Sequence, residues 1–146
     1  MSPLIRCAAA GDLEAIRALL ERDALPASDL DTSRPQFLVA CAGVDLLGAG
    51  ALEPYGEAAL LRSLIIAPAW RGRGLGHQLV KALERRARAA GIGELVLLTQ
   101  TAEAFFARLD YRPIGREQAP AAVQSSSEFR TLCPASAVCM RKILRP

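Results

Sequence analysis

The sequence predicts a single mixed α/β domain, with a central, mostly antiparallel sheet flanked by helices. Three observations predict it. Apolar runs of strand length alternate with apolar stripes at helical spacing, in the order strand, helix, three strands, helix, strand, helix, strand or strands. The 146 residues suit one compact core, and no internal repeat or linker divides 1–146 into smaller units. With 51% apolar and 23% charged residues, the composition is that of a globular protein and excludes wholesale disorder.

The elements follow in order. Pro3 to Ala8 reads as a short first strand. Asp12 is a candidate N-cap for a helix whose Leu13, Ile16, Leu19 and Leu20 share one face. Residues 23–35, with two prolines and many polar groups, form a loop with a helical turn from Ser28. Gln36 to Ala42 and Leu46 to Leu52 are strands joined by Gly43-Val44-Asp45. Pro54-Tyr55-Gly56 turns the chain into a long third strand, Ala58 to Ile66. Leu75, Leu79, Leu83 and Ala87 form the stripe of a second helix, closed by Gly91. Glu94 to Leu98 is a buried strand, Ala102 to Leu109 a short helix, and Tyr111 begins another strand. The polar stretch Ala119–Thr131 is partly helical, and Ala135 to Met140 is the last strand.

The most informative segment joins the long third strand to the second helix: Leu64-Ile65-Ile66-Ala67-Pro68-Ala69-Trp70-Arg71-Gly72-Arg73-Gly74-Leu75-Gly76-His77. A glycine-rich loop that opens a helix aims backbone N–H groups at one point, with the helix dipole behind them. That is a site for phosphate or pyrophosphate. No Lys followed by Ser or Thr ends the loop, which excludes a P-loop. Gly72, Gly74 and Gly76 are spaced G-x-G-x-G rather than G-x-G-x-x-G, and Glu94 opens the next strand instead of ending it. Both facts count against a dinucleotide-binding fingerprint.

The net charge is +3, but Arg71, Arg73, Lys81, Arg85, Arg86 and Arg88 cluster in this loop and helix. Few aromatics interleave with them, so a small anion fits better than nucleic acid. Cys7, Cys41, Cys133 and Cys139 form no C-x-x-C pair, and the single histidine lies elsewhere; no metal is expected. No apolar run is long enough for a membrane span, and charged residues interrupt the N-terminus, so a cytoplasmic location is expected.

The pattern R-x-x-G-x-G at Arg71, Gly74 and Gly76, after Leu64-Ile65-Ile66 and a proline, resembles the acetyl-CoA-binding motif of the GNAT superfamily of N-acetyltransferases. The element order matches that fold along nearly the whole chain. The resemblance implies a splayed sheet whose gap holds the pantetheine arm of acetyl-CoA. Its amides would pair with the backbone of Leu64, Ile65 and Ile66, and its pyrophosphate would sit on Gly72, Arg73, Gly74, Leu75, Gly76 and His77, with charge from Arg71 and Arg73. His77, at the helix start, is read as a phosphate-flanking residue and not a base.

Many members of that superfamily place a catalytic Glu in the third long strand, where this chain has Leu60, and an acidic Tyr where it has Phe106. Glu53, at the end of the neighbouring strand, is read either as the base, ahead of Glu57, or as a surface turn carboxylate. Either water or another group serves as acid, with Tyr111 and Cys139 as weak substitutes, or no acid is needed because the thiolate is a good leaving group. Asp110 stands where the family usually has a glycine of positive φ.

Alternation puts Arg62, Leu64 and Ile66 on one strand face. An Arg there either clamps a substrate carboxylate or forms an internal salt bridge with Glu53 or Glu57. The expected substrate contacts are Arg62, Ser63, Thr99, Cys133 and Ser136. The segment Leu95–Phe106 with Tyr111-Arg112-Pro113 resembles the catalytic domain of N-acetylglutamate synthase. A longer resemblance includes Leu52-Glu53-Pro54-Tyr55-Gly56, Leu61-Arg62-Ser63-Leu64 and Leu132–Lys142. It is to the stand-alone N-acetyltransferases of bacterial arsenic-resistance operons. Both imply a small amino acid, or a glutamate-like compound bearing arsenic or phosphorus, as acetyl acceptor. Cys133 and Cys139 could hold trivalent arsenic only if a turn at Pro134 brings them together; core or cavity-lining thiols are the favoured reading. A protein N-acetyltransferase and a non-catalytic acetyl-CoA sensor are the alternatives. No nucleic acid or membrane partner is expected, and oligomeric state is left open, a homodimer included.

Overall fold

The computed structural model describes residues 3–28 and 34–144. Seven strands form one sheet in the order β1-β2-β3-β4-β5-β7-β6. They are β1 (Leu4–Cys7), β2 (Gln36–Ala42), β3 (Asp45–Tyr55), β4 (Ala58–Ile66), β5 (Glu94–Thr99), β6 (Arg112–Ile114) and β7 (Val138–Ile143). All pairings are antiparallel except β4 with β5. The helices are α1 (Leu13–Arg22), α2 (Leu75–Ala89), α3 (Glu103–Ala107) and α4 (Ala121–Gln124).

The two faces of the sheet take different helices, as the period-2 alternation of the strands dictates. On one face, Leu38, Ala40, Leu52, Ala59, Leu61 and Leu95 pack against Leu75, Leu79, Leu83 and Ala87 of α2. On the other, Phe37, Val39, Cys41, Ala49 and Ala51 pack against Ile16 and Leu20 of α1. A third cluster of Ala58, Leu60, Val96 and Cys139 lies with Ala119 and Val123 near α4. α2 comes close to the sheet because β3 carries glycines beneath it. A Cβ on Gly48 would meet Ile66 Cδ1 at 2.9 Å, and one on Gly50 would meet Leu83 Cδ1 at 2.9 Å.

Several sequence expectations move. Asp12 sits just before α1 but does not cap it: its carboxylate turns back to the Ala9 N–H at 2.7 Å and to Arg6 at 2.8 Å. A short 3-10 turn, Ala10–Asp12, replaces a capped start. Tyr55 belongs to β3, and the turn into β4 is Gly56-Glu57. The last strand starts at Val138, not Ala135, and runs on to Ile143. Pro134 to Ala137 form a turn instead (Ala137 N–H to Pro134 O, 3.1 Å), and Arg116 donates to the carbonyls of both. Arg141 and Lys142 remain in the strand because each has an acidic partner, Glu94 and Glu84 respectively. The helical turn expected from Ser28 falls largely on 29–33, outside the described residues.

Candidate acetyl-transfer site

β4 and β5 pair for only three residues, Ala58 to Leu60 against Glu94 to Val96. Beyond Leu60, β4 stays with β3 and β5 stays with β7, so the two inner rims part. A β-bulge marks the departure: Gly50 of β3 faces both Ser63 and Leu64, and Ser63 takes φ +58°. The bulge reverses the alternation. Leu64 and Ile66 pack toward α2, whereas Arg62 faces the other side, opposite Ala51. The expected shared face of Arg62, Leu64 and Ile66 is therefore corrected, because regular alternation does not survive the extra residue.

The parting opens a cavity of about 640 Å³. Its walls include Leu61 to Ile66, Leu97 to Ala102, Phe105 and Phe106, and the segment Asp23 to Pro26 after α1. Arg71 and Gly76 stand at one end; Arg62, Ser63, Glu128, Cys133 and Pro134 also contribute.

The glycine loop is built as a positive-φ turn. Gly72 has φ +77° and Gly74 φ +81°, values costly for residues with a Cβ. A Cβ at either would meet no protein atom within 4 Å, so the space beside the loop is open. Hydrogen bonding inside α2 begins with the Gln78 N–H to the Gly74 carbonyl at 3.1 Å. The N–H groups of Leu75, Gly76 and His77 precede that point and find no acceptor within the helix. Leu75 itself is buried in the core, so only its backbone faces this end; His77 is exposed. Arg73 lies over the Trp70 ring, 4.8 Å from its centroid. Arg71 folds back, donating to the Ile66 carbonyl at 3.1 Å and pairing with Asp23, which ties the loop to the segment after α1.

At the polar end, Arg62 has a fully buried side chain between two carboxylates. Its Nη1 donates to Glu53 Oε1 at 3.0 Å, and its Nε lies 3.3 Å from Glu128 Oε2 and 3.1 Å from Ser63 Oγ. The internal salt bridge with Glu53, one of the two expected roles of Arg62, is present; Glu57 takes no part in it. Glu53 faces Leu60 across the β3–β4 ladder. Its Oε2 accepts a hydrogen bond from the Tyr55 hydroxyl. Burial first, and then Glu53, push that phenol up to about 12. Glu53 is buried and does not line the cavity; the carboxylates on its wall are Asp23, which pairs with Arg71, and Glu128, which pairs with Arg62. Glu128 heads a wide π-type turn, Glu128–Leu132, in the long segment between β6 and β7, and nothing in its local sequence marked it.

Cys133 is half-buried on the wall, its thiol pushed up to about 12 by burial and by Glu128, to which it hydrogen-bonds. Cys139 is buried in the third cluster, pushed up to about 11 mainly by burial, and does not line the cavity. The two thiols are not brought together on its wall, and among the described residues no cluster of three or more metal-ligating side chains occurs. Thr99 lines the cavity and caps the next turn, its Oγ1 accepting from Ala102 N–H at 3.0 Å. Ser136 is exposed and outside the lining.

Neither substitute acid is in place. Tyr111 is buried and donates to Glu84 Oε2 at 2.9 Å, and Cys139 is enclosed. Phe106 stacks edge-on between Phe105 and Tyr111, centroids 5.0 and 5.5 Å away. Asp110 takes φ +73°, as its position predicts.

Comparison with known proteins agrees with this architecture. Residues 33–113 match the family described as acetyltransferase (GNAT) domain. The amino-acid acetyltransferase of Azotobacter vinelandii is 32% identical over 125 residues, covering 82% of this chain and 29% of its own length. That of Pseudomonas putida is 33% identical over 116 residues, covering 78% and 24%. The chain thus spans less than a third of the length of these relatives. A Mycobacterium tuberculosis protein solved in complex with CoA superposes with a TM-score of 0.83 at 26% identity, over 98% of this chain and all of that one. N-acetylglutamate synthase from Neisseria gonorrhoeae shares the fold, with a TM-score of 0.84 at 20% identity, over all of this chain and 36% of that one. The parted sheet, the glycine turn and the family match lead to one conclusion: this chain belongs to the GNAT acetyltransferase family.

Proposed function

We propose that this protein transfers the acetyl group of acetyl-CoA to the amine of a small amino acid, directly and in a ternary complex. The observation that carries the reading is the parting of β4 from β5 beyond Leu60, with the glycine turn beside the resulting cavity and a buried Arg62 on its wall. Acetyl-CoA supplies the activated acetyl group as a thioester. The rim of β4 over Leu64 to Ile66, which β5 does not pair, offers backbone groups to an amide-bearing arm, as a neighbouring strand would; the Ile66 carbonyl already accepts from Arg71. The turn from Gly72 to His77 offers backbone donors and a helix N-terminus to a diphosphate, and Arg71 and Arg73 add positive charge. Arg62 offers a forked donor to the acceptor's carboxylate, with Ser63, Thr99 and Cys133 around it. The relatives named amino-acid acetyltransferases support an amino acid as acceptor. Glutamate and its phosphorus- or arsenic-bearing analogues share the head group that such a site would read.

Glu53 serves here as a positioning residue: with Tyr55 it fixes the Arg62 guanidinium. The expected base role therefore needs a carboxylate with access to the cavity.

An amine panel with detection of released thiol tests the reading; glutamate and its phosphinic and arsenic analogues belong in it. Gly74→Glu should abolish acetyl-CoA binding in calorimetry, because it strains a positive-φ position and sets a carboxylate against the diphosphate. Retained affinity would reject the cradle. A second reading, an acetyl-CoA sensor, draws on Phe106 and on the engaged Glu53. Cofactor binding without thiol release across the panel would favour it.

A further inference from the structure

Building on the acetyl-transfer reading, we propose that Glu128 is the catalytic residue that receives the acceptor's ammonium group and proton, once the acceptor's carboxylate has taken its place on Arg62. Two buried carboxylates share one guanidinium at the cavity wall: side-chain exposure is 0% for Arg62, 3% for Glu53 and 5% for Glu128.

The carboxylates are not equivalent. Glu53 lies on an inner strand, away from the cavity, with one oxygen on Arg62 and the other on Tyr55. Glu128 lies on the wall, on a wide helical turn, and meets an Arg62 nitrogen that is shared with Ser63 Oγ. Glu53 lies off the cavity and Glu128 on its wall, so Glu128 is the one of the two that meets an acceptor held there. This split of two carboxylates by environment separates a structural ion pair from a proton acceptor.

The Arg62–Glu128 pair, 3.3 Å apart, is the charge-reversed counterpart of an α-amino acid head, whose ammonium and carboxylate are held about as close by one carbon. Such a zwitterion opens the protein's pair and forms two in its place, carboxylate on Arg62 and ammonium on Glu128. A simple amine or a peptide N-terminus brings no α-carboxylate and leaves the pair closed.

The step then balances. The ammonium gives one proton to a Glu128 oxygen, and the freed lone pair attacks the thioester carbonyl carbon. The C–N bond forms, the C–S bond breaks, and the sulfur leaves with the electron pair. The second amine proton passes to that sulfur as thiol, and Glu128 returns its proton to solvent. Cys133 beside it stays a neutral thiol and does not compete.

The test uses the intact protein with acetyl-CoA and, as acceptors, the twenty common L-amino acids and the phosphinic and arsenic analogues of glutamate. Each is matched to its α-amide and to its decarboxylated amine. A free acid should be preferred over both by about a hundredfold in kcat/KM. Glu128→Gln should lower kcat/KM for that acid about a hundredfold or more, with acetyl-CoA affinity in calorimetry unchanged, and Glu128→Asp should recover part of the loss. Should Glu128→Gln unfold the protein, the Asp variant and the acid-to-amide ratio of the native chain carry the test.

Equal use of acid and amide, or full activity in Glu128→Gln, would overturn the proposal. So would thiol release with carboxylate-free amines alone, and that result would leave the acetyl-transfer reading standing. Loss of acetyl-CoA binding by the native chain would remove both.

Discussion

Ser63 is one residue in an unusual conformation, and it decides where Arg62 points. Its φ of +58° makes the bulge, and its hydroxyl then accepts from Arg62 Nε. Ser63→Val should cost about 1–3 kcal/mol in urea unfolding, because a β-branched side chain tolerates this region poorly. Glu53→Ala should cost about 3–5 kcal/mol by leaving Arg62 short of a buried partner. Arg62→Lys should raise the acceptor KM about tenfold, the cost of one charge-assisted hydrogen bond, and leave that for acetyl-CoA unchanged. Equal changes in both would make Arg62 purely structural. The bulge was not legible in the sequence: Leu60 to Ile66 reads as an uninterrupted strand, and serine carries no signal for positive φ. Asp110 was legible, because a known pattern expects glycine there.

Among the elements, α2 depends on what lies under it. Gly50→Ala should cost about 1–3 kcal/mol, since the new methyl would press on Leu83 and Leu64 at the helix contact. An unchanged unfolding midpoint would mean that α2 can slide. The stripe of α2, the glycine turn and the β2–β3–β4 meander were readable, because period and turn chemistry act locally. What escaped was set by distant partners. Arg141 and Lys142 look too polar for a strand until Glu94 and Glu84 are beside them. Asp12 looks like a cap until Arg6 draws it away. Glu128, in a stretch with no apolar period, gains meaning only when the turn from Glu128 to Leu132 brings it to Arg62.

At the scale of the molecule, both tyrosines are held protonated. Burial chiefly pushes Tyr55 up to about 12 and raises Tyr111 further, with Glu53 and Glu84 adding to each. In the unfolded chain they ionise near 10. The folded state therefore binds more protons above pH 10: its advantage is complete below that pH and is lost as pH rises toward 12 and beyond. Absorbance at 295 nm should reveal no tyrosinate in the native protein at pH 10.5 and clear ionisation in urea. Early native ionisation would mean these phenols are solvated. Lys142 meets Glu84 at 3.0 Å inside the same core, bridging α2 and β7 under Tyr111.

The parted strands carry a consequence for the life of the apoprotein. Two inner rims that do not pair with each other beyond Leu60 offer a slot to an extended polypeptide, including a stretch of another molecule of the same protein. A bound coenzyme would stopper that slot and add about 2.7 kcal/mol at a hundredfold excess over its Kd. Aggregation on gentle heating, followed by light scattering, should be suppressed by CoA. If so, the coenzyme proposed to fill the cavity also guards the protein against self-association.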